Sequence, residues 1–185
     1  MNEKFIDTYL NISSTKLSVA VFNTFNTNSF FFKEYTCITN LKENELNLEI
    51  LEKNIEKIIR EIEKASNSFL NDLNLMIDTT DTISINLSLS KYIEDKQIQK
   101  SDAQYLIQDA RQQILRSYAD KSIIHVIVNN YIIDNVYYDH LPINLNCKKF
   151  CMNIRFICLP NNLIKKFEQL FDIHQIFINK VICSN

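Results

Sequence analysis

Cysteine and histidine are the residues of this chain whose chemistry could build a reactive or metal-binding site. Cys147 and Cys151 are separated by three residues, and neither a second cysteine pair nor a histidine pair lies nearby to complete a zinc site. The spacing therefore predicts small apolar side chains on a sheet rather than a metal site. The cysteines are an odd number, spread over strand-like segments: Cys37, Cys147, Cys151, Cys158 and Cys183.

The three histidines do not have the neighbours that nucleophilic catalysis requires. His125 lies within an apolar run and is expected to be a core or sheet-edge residue, whereas His140 and His174 have no serine or cysteine nucleophile in their sequence context. The sequence therefore predicts no catalytic residue.

The segment from residue 121 to 160 contains three apolar runs and is predicted to form a hairpin followed by a third strand. Ser122–Val128 and Tyr131–Tyr138 have strand character, and Asn129–Asn130 between them is a turn signal because asparagine tolerates positive φ. Lys149–Leu159 is predicted to be the third strand. Apolar side chains recur on one side of it at period two: Phe150, Met152, Ile154, Phe156 and Cys158.

A helix to cover this sheet is predicted directly upstream. Ser101 and Gln104 have the spacing of a capping box, and an apolar stripe follows them to about residue 118. Ser84–Ser90 alternates apolar and polar residues, as a half-buried strand does. The order over residues 83–160 is therefore strand, helix, strand, strand, strand.

Composition limits the classes of function. At 185 residues and 46% hydrophobic, the chain can bury one large core or two small ones. A net charge of −2 gives no basic footprint, which argues against nucleic acid as a partner. No apolar run is long enough for direct membrane insertion, and the N-terminus does not resemble a secretory signal, so we expect a cytoplasmic protein with reduced cysteines.

The chain contains no glycine, although average usage would supply roughly a dozen. Asparagine, isoleucine and lysine are abundant, which is the bias that AT-rich codons produce. Turns that need positive φ must therefore be made by asparagine or serine.

The N-terminal region is predicted to contain three antiparallel strands, a helix, and a strand parallel to the first, an order that resembles the beginning of a ribonuclease-H-like or actin-like half-domain. The predicted boundaries are 4–12, 16–22 and 29–38 for the strands, 46–66 for the helix and 73–78 for the returning strand.

The whole chain resembles the first half of the bacterial cell-division actin homologue FtsA. Ser122–His125 followed by Tyr131–Asp134 resembles the hairpin of that family's inserted SHS2 module, and Ser101–Asp102 resembles the start of its helix. Leu163–Phe171 followed by Val181–Ser184 resembles the return into the actin-like subdomain.

The resemblance implies an α/β (α+β) fold in which a truncated actin-like, ribonuclease-H-like subdomain carries an SHS2 module. The expected divisions are 1–82 and 161–185 for the actin-like part and 83–160 for the module. The second half of the family, with its other phosphate loop, adenosine site and membrane helix, is expected to be missing from this chain.

One departure from the family argues against nucleotide binding. Actin-like ATPases carry an Asp and a Gly in the loop between their first two strands, where the Gly lets backbone amides approach phosphate and the Asp helps hold hydrated Mg²⁺. At the matching positions this chain has Asn11 and Ser13, and only Ser14 keeps its type. We therefore expect no cofactor and no enzymatic activity.

By the same resemblance, the protein is expected to be a scaffold that acts through its SHS2 module at the division septum, on the inner face of the cell membrane. Its partners would be division-complex proteins, further copies of itself and a separately encoded second half. Tyr131, Tyr137 and Tyr138 are the candidate interface residues, because tyrosine is enriched at interfaces. The alternative is that they pack against the neighbouring actin-like subdomain.

Two alternatives to the scaffold stay open at this point. One is a nucleotide-dependent actin-like switch, such as a pilus-assembly actin homologue, which shares the inserted-module plan. The other is a decayed remnant without function.

The odd cysteine count and its placement on strands yield a first prediction. In protein purified without oxidants, thiol titration is expected to find all five cysteines reduced, and elemental analysis is expected to find no bound zinc. Stoichiometric zinc, or a Cys147–Cys151 bridge mapped by mass spectrometry, would reverse the prediction.

Overall fold

A computed structural model describes residues 6–13, 16–23, 26–36 and 48–183, without the side chains of 26–30, 36, 49 and 50. Up to residue 160, the elements in this part of the chain follow the order that the sequence predicts. They are β1 (Ile6–Ile12), β2 (Lys16–Asn23), β3 (Asn26–Thr36), α1 (Leu48–Ser66), β4 (Asp72–Ile77), β5 (Ile83–Gln97), α2 (Lys100–Ser117), β6 (Lys121–Ile133), β7 (Val136–Tyr138), β8 (Asn146–Pro160), α3 (Asn161–Asp172) and β9 (Phe177–Cys183).

The chain divides into two compact units. The first comprises residues 1–82 and 162–185, and the second comprises residues 83–161. Each unit has its own sheet, so each is described by itself below.

The sheet of the first unit has the strand order β3-β2-β1-β4-β9. β1, β2 and β3 pair antiparallel, and β4 pairs with β1 in parallel, as the sequence predicts. The connections through α1 and α3 both run in the same direction across the sheet, and right-handed crossovers therefore place both helices on one face. That face is the buried one, since Leu10, Val19 and Leu75 are excluded from solvent.

A polar cluster fixes β3 to α1 within this unit. The Lys33 ammonium donates to both carboxylate oxygens of Glu61 at 2.7 and 2.8 Å, and the Tyr35 hydroxyl donates to the same carboxylate. The Lys33 hydrogen bond, followed by that of Tyr35, lowers the pKa of Glu61. Burial and the hydrogen bond to Glu61 raise the pKa of Tyr35. The side chains of β3 and α1 are thereby held in one geometry.

The sheet of the second unit has the order β5-β8-β6-β7 and is antiparallel throughout. β8 lies between β5 and β6, and its predicted apolar stripe is completely buried. The stripe packs against one side of α2, where Ala103, Leu106, Ala110 and Ile114 recur at three- and four-residue spacing. The predicted order of strand, helix and three strands is confirmed.

The predicted position of the hairpin turn is wrong. β6 continues through Asn129–Asn130, and the chain reverses instead at Asp134 and Asn135, whose φ values are 46° and 72°. Positive φ at both central residues is the geometry of a two-residue hairpin turn. The carboxylate of Asp134 accepts the amides of Lys148 and Lys149 at 2.9 to 3.2 Å, which anchors the turn to β8.

The predicted capping residues of α2 are also wrong, by two positions. The N-cap is Gln99, and the Asp102 carboxylate accepts the Gln99 amide at 3.0 Å. Asp102 also accepts the Lys91 ammonium of β5 at 2.7 Å, an ion pair that Ser101 and Gln104 could not form. The tertiary partner therefore decides where the helix begins.

The contacts of Asp102 generate a stability prediction. The hydrogen bond from Lys91, followed by the amide of Gln99, lowers the pKa of Asp102. A carboxylate with a lowered pKa contributes stability above its ordinary pKa of 3.8 and loses it as the pH falls further. Asp102→Ala is expected to lower the free energy of unfolding at pH 7 by about 1 kcal/mol, the usual cost of losing a cap.

Urea unfolding at several pH values measures this effect. The difference between the Asp102→Ala variant and the wild type is expected to shrink as the pH falls below 3.8. Asp109→Ala, on the same helix, removes only a hydrogen bond from Gln113 and serves as the control. Equal effects of the two substitutions at pH 7 would contradict the role of Asp102 in capping α2 through the Gln99 amide.

Candidate interaction surface

The positions that match the phosphate loop of actin-like ATPases lie at the turn between β1 and β2. The Ser13 hydroxyl donates to the Lys16 carbonyl at 3.1 Å, and the Lys16 amide donates to the Ser13 hydroxyl at 3.0 Å. Ser13 therefore closes its own hairpin through both its backbone and its side chain. Asn11 lies on the side of the sheet that α1 and α3 leave uncovered, and Ser14 lies outside the described residues.

One acidic residue beside this turn was not singled out by the sequence. The Asp78 amide donates to the Ile12 carbonyl at 2.9 Å, which places Asp78 directly beyond the end of β4 and next to the turn. The predicted parallel pairing of β1 and β4 could have indicated Asp78, because parallel pairing places the carboxyl ends of the two strands at the same edge of the sheet. Among the described residues, no three His, Cys, Asp or Glu side chains come together as a metal site.

The uncovered side of the first unit's sheet holds a groove of about 570 Å³. Its floor is largely apolar: the rings of Tyr9 and Phe22 meet edge to face at 5.7 Å, and Phe32 is 61% exposed. Asn11 contributes a polar side chain to the same groove. This side of the sheet therefore joins an apolar surface to Asn11, one of the positions that match the phosphate loop of actin-like ATPases.

In the second unit, α2 covers one side of the sheet and leaves the other side, here called the open face, to solvent. Alternation and register place on it the side chains of Ser84, Asn86, Ser88 and Ser90 from β5, Cys151, Asn153, Arg155 and Ile157 from β8, His125, Ile127, Asn130 and Ile132 from β6, and Tyr137 from β7. Small polar residues dominate the β5 side, and branched aliphatic residues the β6 side. The open face is thus mixed in polarity.

The three candidate interface tyrosines do not share a surface. Tyr131 stacks on buried Phe150, with ring centroids 6.3 Å apart and planes within 8°. Tyr138 pairs with Tyr131 across the hairpin and packs against the same core. Tyr137 points to the other side and is 70% exposed. Of the three, Tyr137 is placed on the open face, whereas Tyr131 and Tyr138 belong to the packing of their own module.

The second unit has more basic than acidic residues, whereas the first has more acidic than basic residues. The second unit carries nine Lys and Arg against seven Asp and Glu, although the whole chain has a net charge of −2. β6, β7 and β8 contain no acidic residue at all, and β5 has its acids only at Glu94 and Asp95. Arg155 is exposed in the middle of the open face and has no ion pair with any residue that the structure describes.

None of the four cysteines that the structure describes forms a disulfide. Cys147 is buried and Cys151 half-buried, and four residues of extended strand separate their backbones by about 13 Å, too far for a disulfide. Burial, with a smaller effect from Asp134, raises the pKa of Cys147, which keeps it a protonated thiol. His125 is half-buried on β6, and Cys37 lies outside the described residues.

Comparison with protein families assigns the second unit. Residues 80–158 match the family described as the SHS2 domain inserted in FtsA. No curated protein sequence matches the chain significantly. The predicted resemblance to FtsA is therefore confirmed for the inserted module.

Solved structures align with nearly the whole chain, and the first of them shares its fold. A chain of the PilM–PilN type IV pilus biogenesis complex superimposes with a TM-score of 0.59 at 7% identity, covering 96% of this chain and 47% of its own. The cytoplasmic domain of EpsL, an inner-membrane component of the Vibrio cholerae type II secretion system, gives a TM-score of 0.42 at 9% identity, covering 96% of this chain and 55% of its own. A Bacteroides thetaiotaomicron protein with an actin-like ATPase fold gives 0.39 at 14% identity, covering 97% of this chain and 52% of its own.

The chain therefore spans about half the length of the structures that it matches. The mixed α/β fold with an actin-like part and an SHS2 module is the fold class predicted from the sequence. In the described ranges, no helix is long and apolar enough to cross a membrane.

The different positions of the tyrosines generate a paired prediction. Tyr131→Ser removes a ring that stacks on the core and is expected to destabilise the module by about 2 to 4 kcal/mol. Tyr137→Ser removes an exposed ring and is expected to stay within about 0.5 kcal/mol of the wild type. Chemical denaturation followed by circular dichroism measures both variants. A large loss of stability in Tyr137→Ser would mean that this ring is part of the core.

Proposed function

Since residues 80–158 form an SHS2 domain of the type inserted in FtsA, we propose that this protein is a cell-division scaffold that works through protein contacts of that domain. It acts at the division septum, on the inner face of the cell membrane, and does not use nucleotide. The observation that carries the proposal is the combination of this domain with a hairpin that is closed where a phosphate would bind.

The geometry of the β1–β2 turn supports the absence of nucleotide binding. In a phosphate loop, backbone amides point at the anion and no side chain stands between them. Here the Lys16 amide is already bonded to the Ser13 hydroxyl, so it is not free to bind phosphate. Asn11 supplies no negative charge for Mg²⁺, which favours carboxylate oxygens.

The partners of the scaffold are proteins of the division complex, with self-association and a separately encoded second half as further contacts. The fold neighbour from the PilM–PilN complex was solved as an assembly with another protein, which supports protein binding as the role of this fold. The open face and its exposed Tyr137 provide uncovered surface on the SHS2 module for such contacts.

A nucleotide-dependent switch of the pilus-assembly type is the second candidate. The position of Asp78 favours it, because a carboxylate beside the β1–β2 turn could partly replace the acid missing at position 11. This candidate and the scaffold differ in one measurable property, which is affinity for ATP and Mg²⁺.

Calorimetric titration of the full chain with ATP and Mg²⁺ tests the two candidates. The scaffold predicts no saturable heat at ligand concentrations up to the millimolar range, because the acid at position 11 and the glycine at position 13 are both replaced. Saturable binding that Asp78→Asn weakens at least about tenfold would favour the switch, since such a loss is typical when a charged ligand contact is removed. Asp81→Asn, three residues further along the chain, is the control for a nonspecific loss of charge.

The cellular part of the proposal is tested by imaging. A fluorescent fusion of the full chain is expected to concentrate at the septum of dividing cells of its host. Uniform fluorescence in cells that contain the intact fusion would contradict a role in division, whatever the outcome of the nucleotide titration.

A further inference from the structure

The side of α2 that faces away from its own sheet carries a ridge without charged residues. Five exposed residues lie on it at alternating spacings of four and three, and they are here called the outer ridge: Ser101, Tyr105, Gln108, Gln112 and Leu115. The ridge is about 21 Å long, at 1.5 Å per residue. The same spacing forms the seam of a two-stranded coiled coil. The outer ridge therefore has the pattern by which one helix packs against another.

α1 shows a different kind of exposed helix face in the same chain. The side of α1 opposite its buried residues is fully charged, with Lys53, Glu56, Lys57, Arg60 and Lys64 all exposed. Charged side chains of this kind suit a face that stays in water. The outer ridge of α2 instead leaves a tyrosine and a leucine in solvent, and only uncharged side chains lie between them.

Tyr105 is held in place before any partner binds. The Lys91 ammonium lies 5.1 Å from the centroid of the Tyr105 ring, and the same ammonium is fixed by its 2.7 Å ion pair with Asp102. The ring is nevertheless 59% exposed, and Leu115 is 50% exposed. A side chain that is already ordered loses less entropy on binding, and tyrosine is a frequent anchor of protein interfaces.

Each carboxylate near the outer ridge has a partner within its own module. Asp102 belongs to the ion pair just described. Asp109 accepts the side-chain amide of Gln113 at 3.2 Å. Asp120, beyond the end of α2, pairs with Lys121 at 3.1 Å. The acidic groups of this surface are therefore already engaged.

Two arginines beside the ridge are not engaged in this way. Arg111 and Arg116 are exposed and flank Leu115 on opposite sides of the ridge, and neither forms an ion pair with a residue that the structure describes. In paired helices, the residues that flank the seam select a partner by charge. Acidic residues on a partner helix would complement both arginines.

A second copy of α2 would not supply that charge. In a parallel pair, flanking residues five positions apart meet, so Arg111 would face Arg116 of the other copy. In an antiparallel pair, the acidic residues available from α2 are Asp102 and Asp109, which are already bonded.

A lipid surface fits the ridge less well than a helix does. Gln108 and Gln112 lie at its centre, and their amides need hydrogen-bond partners when water is removed. Another helix can supply such partners, whereas hydrocarbon cannot.

We propose that the outer ridge of α2 binds an amphipathic helix of a partner protein. The apolar residues of that helix pack against Tyr105 and Leu115, and the acidic residues beside them pair with Arg111 and Arg116. The inference rests on the proposed scaffold function and names the kind of partner and the surface of the SHS2 module that holds it.

The test uses the full chain and a defined helical probe. The probe is a fluorescein-labelled, N-acetylated peptide of three heptads, with leucine at the outer seam positions, glutamine at the central ones, glutamate beside the seam and alanine elsewhere. One control peptide has lysine in place of every glutamate, and a second has the leucines moved to the opposite side of the helix. We expect saturable anisotropy with the glutamate peptide, and binding at least about tenfold weaker with both controls.

Variants with matched controls locate the apolar contact. Leu115→Gln keeps a good helix former and removes an apolar contact, so binding is expected to weaken at least about fivefold. Ile143→Gln makes a similar change at a loop position of the same module, where Ile143 is 43% exposed, and is expected to leave binding unchanged. Both variants are expected to keep the circular dichroism of the wild type.

A charge reversal tests the arginines. Arg111→Glu combined with Arg116→Glu is expected to weaken binding of the glutamate peptide at least about tenfold and to make the lysine peptide the preferred one. A preference for the lysine peptide cannot arise from failed folding. Lys53→Glu combined with Lys64→Glu makes the same change of charge on α1 and is expected to leave the preference for the glutamate peptide intact.

Several outcomes would overturn the inference. They are an absence of binding at millimolar peptide, equal binding of the peptide with moved leucines, and an unchanged preference in the charge-reversed variant. Dimerisation of the chain that Leu115→Gln abolishes would assign the ridge to a second copy, and binding to phosphatidylglycerol vesicles that Leu115→Gln abolishes would assign it to lipid. A fusion at the septum together with any of these results would leave the scaffold proposal standing, whereas peptide binding with uniform fluorescence would do the reverse.

Discussion

The buried apolar stripe of β8 is the interaction on which the second unit depends. Its residues lie on β8, between β5 and β6, and are fully excluded from solvent: Phe150, Met152, Ile154, Phe156 and Cys158. Burial of side chains of this size contributes roughly 1.5 to 3 kcal/mol each. Because period two fixes which side of the strand is buried, the stripe also fixes the register of β5 and β6 against it.

Once that register is set, the surface of the module follows from it. Every residue that alternates with the stripe is turned to the open face, so Arg155 is exposed because Ile154 and Phe156 are buried. The same logic separates Tyr137 from Tyr131: Tyr137 pairs with Ile132, the residue next to Tyr131, so the two tyrosines point to opposite sides of the sheet. An interaction surface in this fold is therefore a consequence of how its core packs.

The absence of glycine shapes the turns of both units. Positive φ falls on Asn67, Glu94, Asp95, Asp134, Asn135, Asn144 and Gln175. Asparagine and aspartate tolerate this region because their side chains can bond locally, whereas glutamate and glutamine have less compensation. At Asp134 the carboxylate bonds to two backbone amides of β8, which offsets the conformational cost. The β1–β2 turn shows the same constraint, because serine closes it with a hydroxyl where a glycine would leave the amides open.

By itself the sequence determined the order of elements, the buried stripe of β8 and the family resemblance of residues 80–158, because periodicity and apolar composition act locally along the chain. It did not determine the hairpin turn, since Asn129–Asn130 and Asp134–Asn135 carry equally good turn signals and only pairing with β8 distinguishes them. The start of α2 was likewise decided by Lys91, a residue on another element. The position of Asp78 beside the first turn is also a tertiary fact, because it depends on which strands become neighbours.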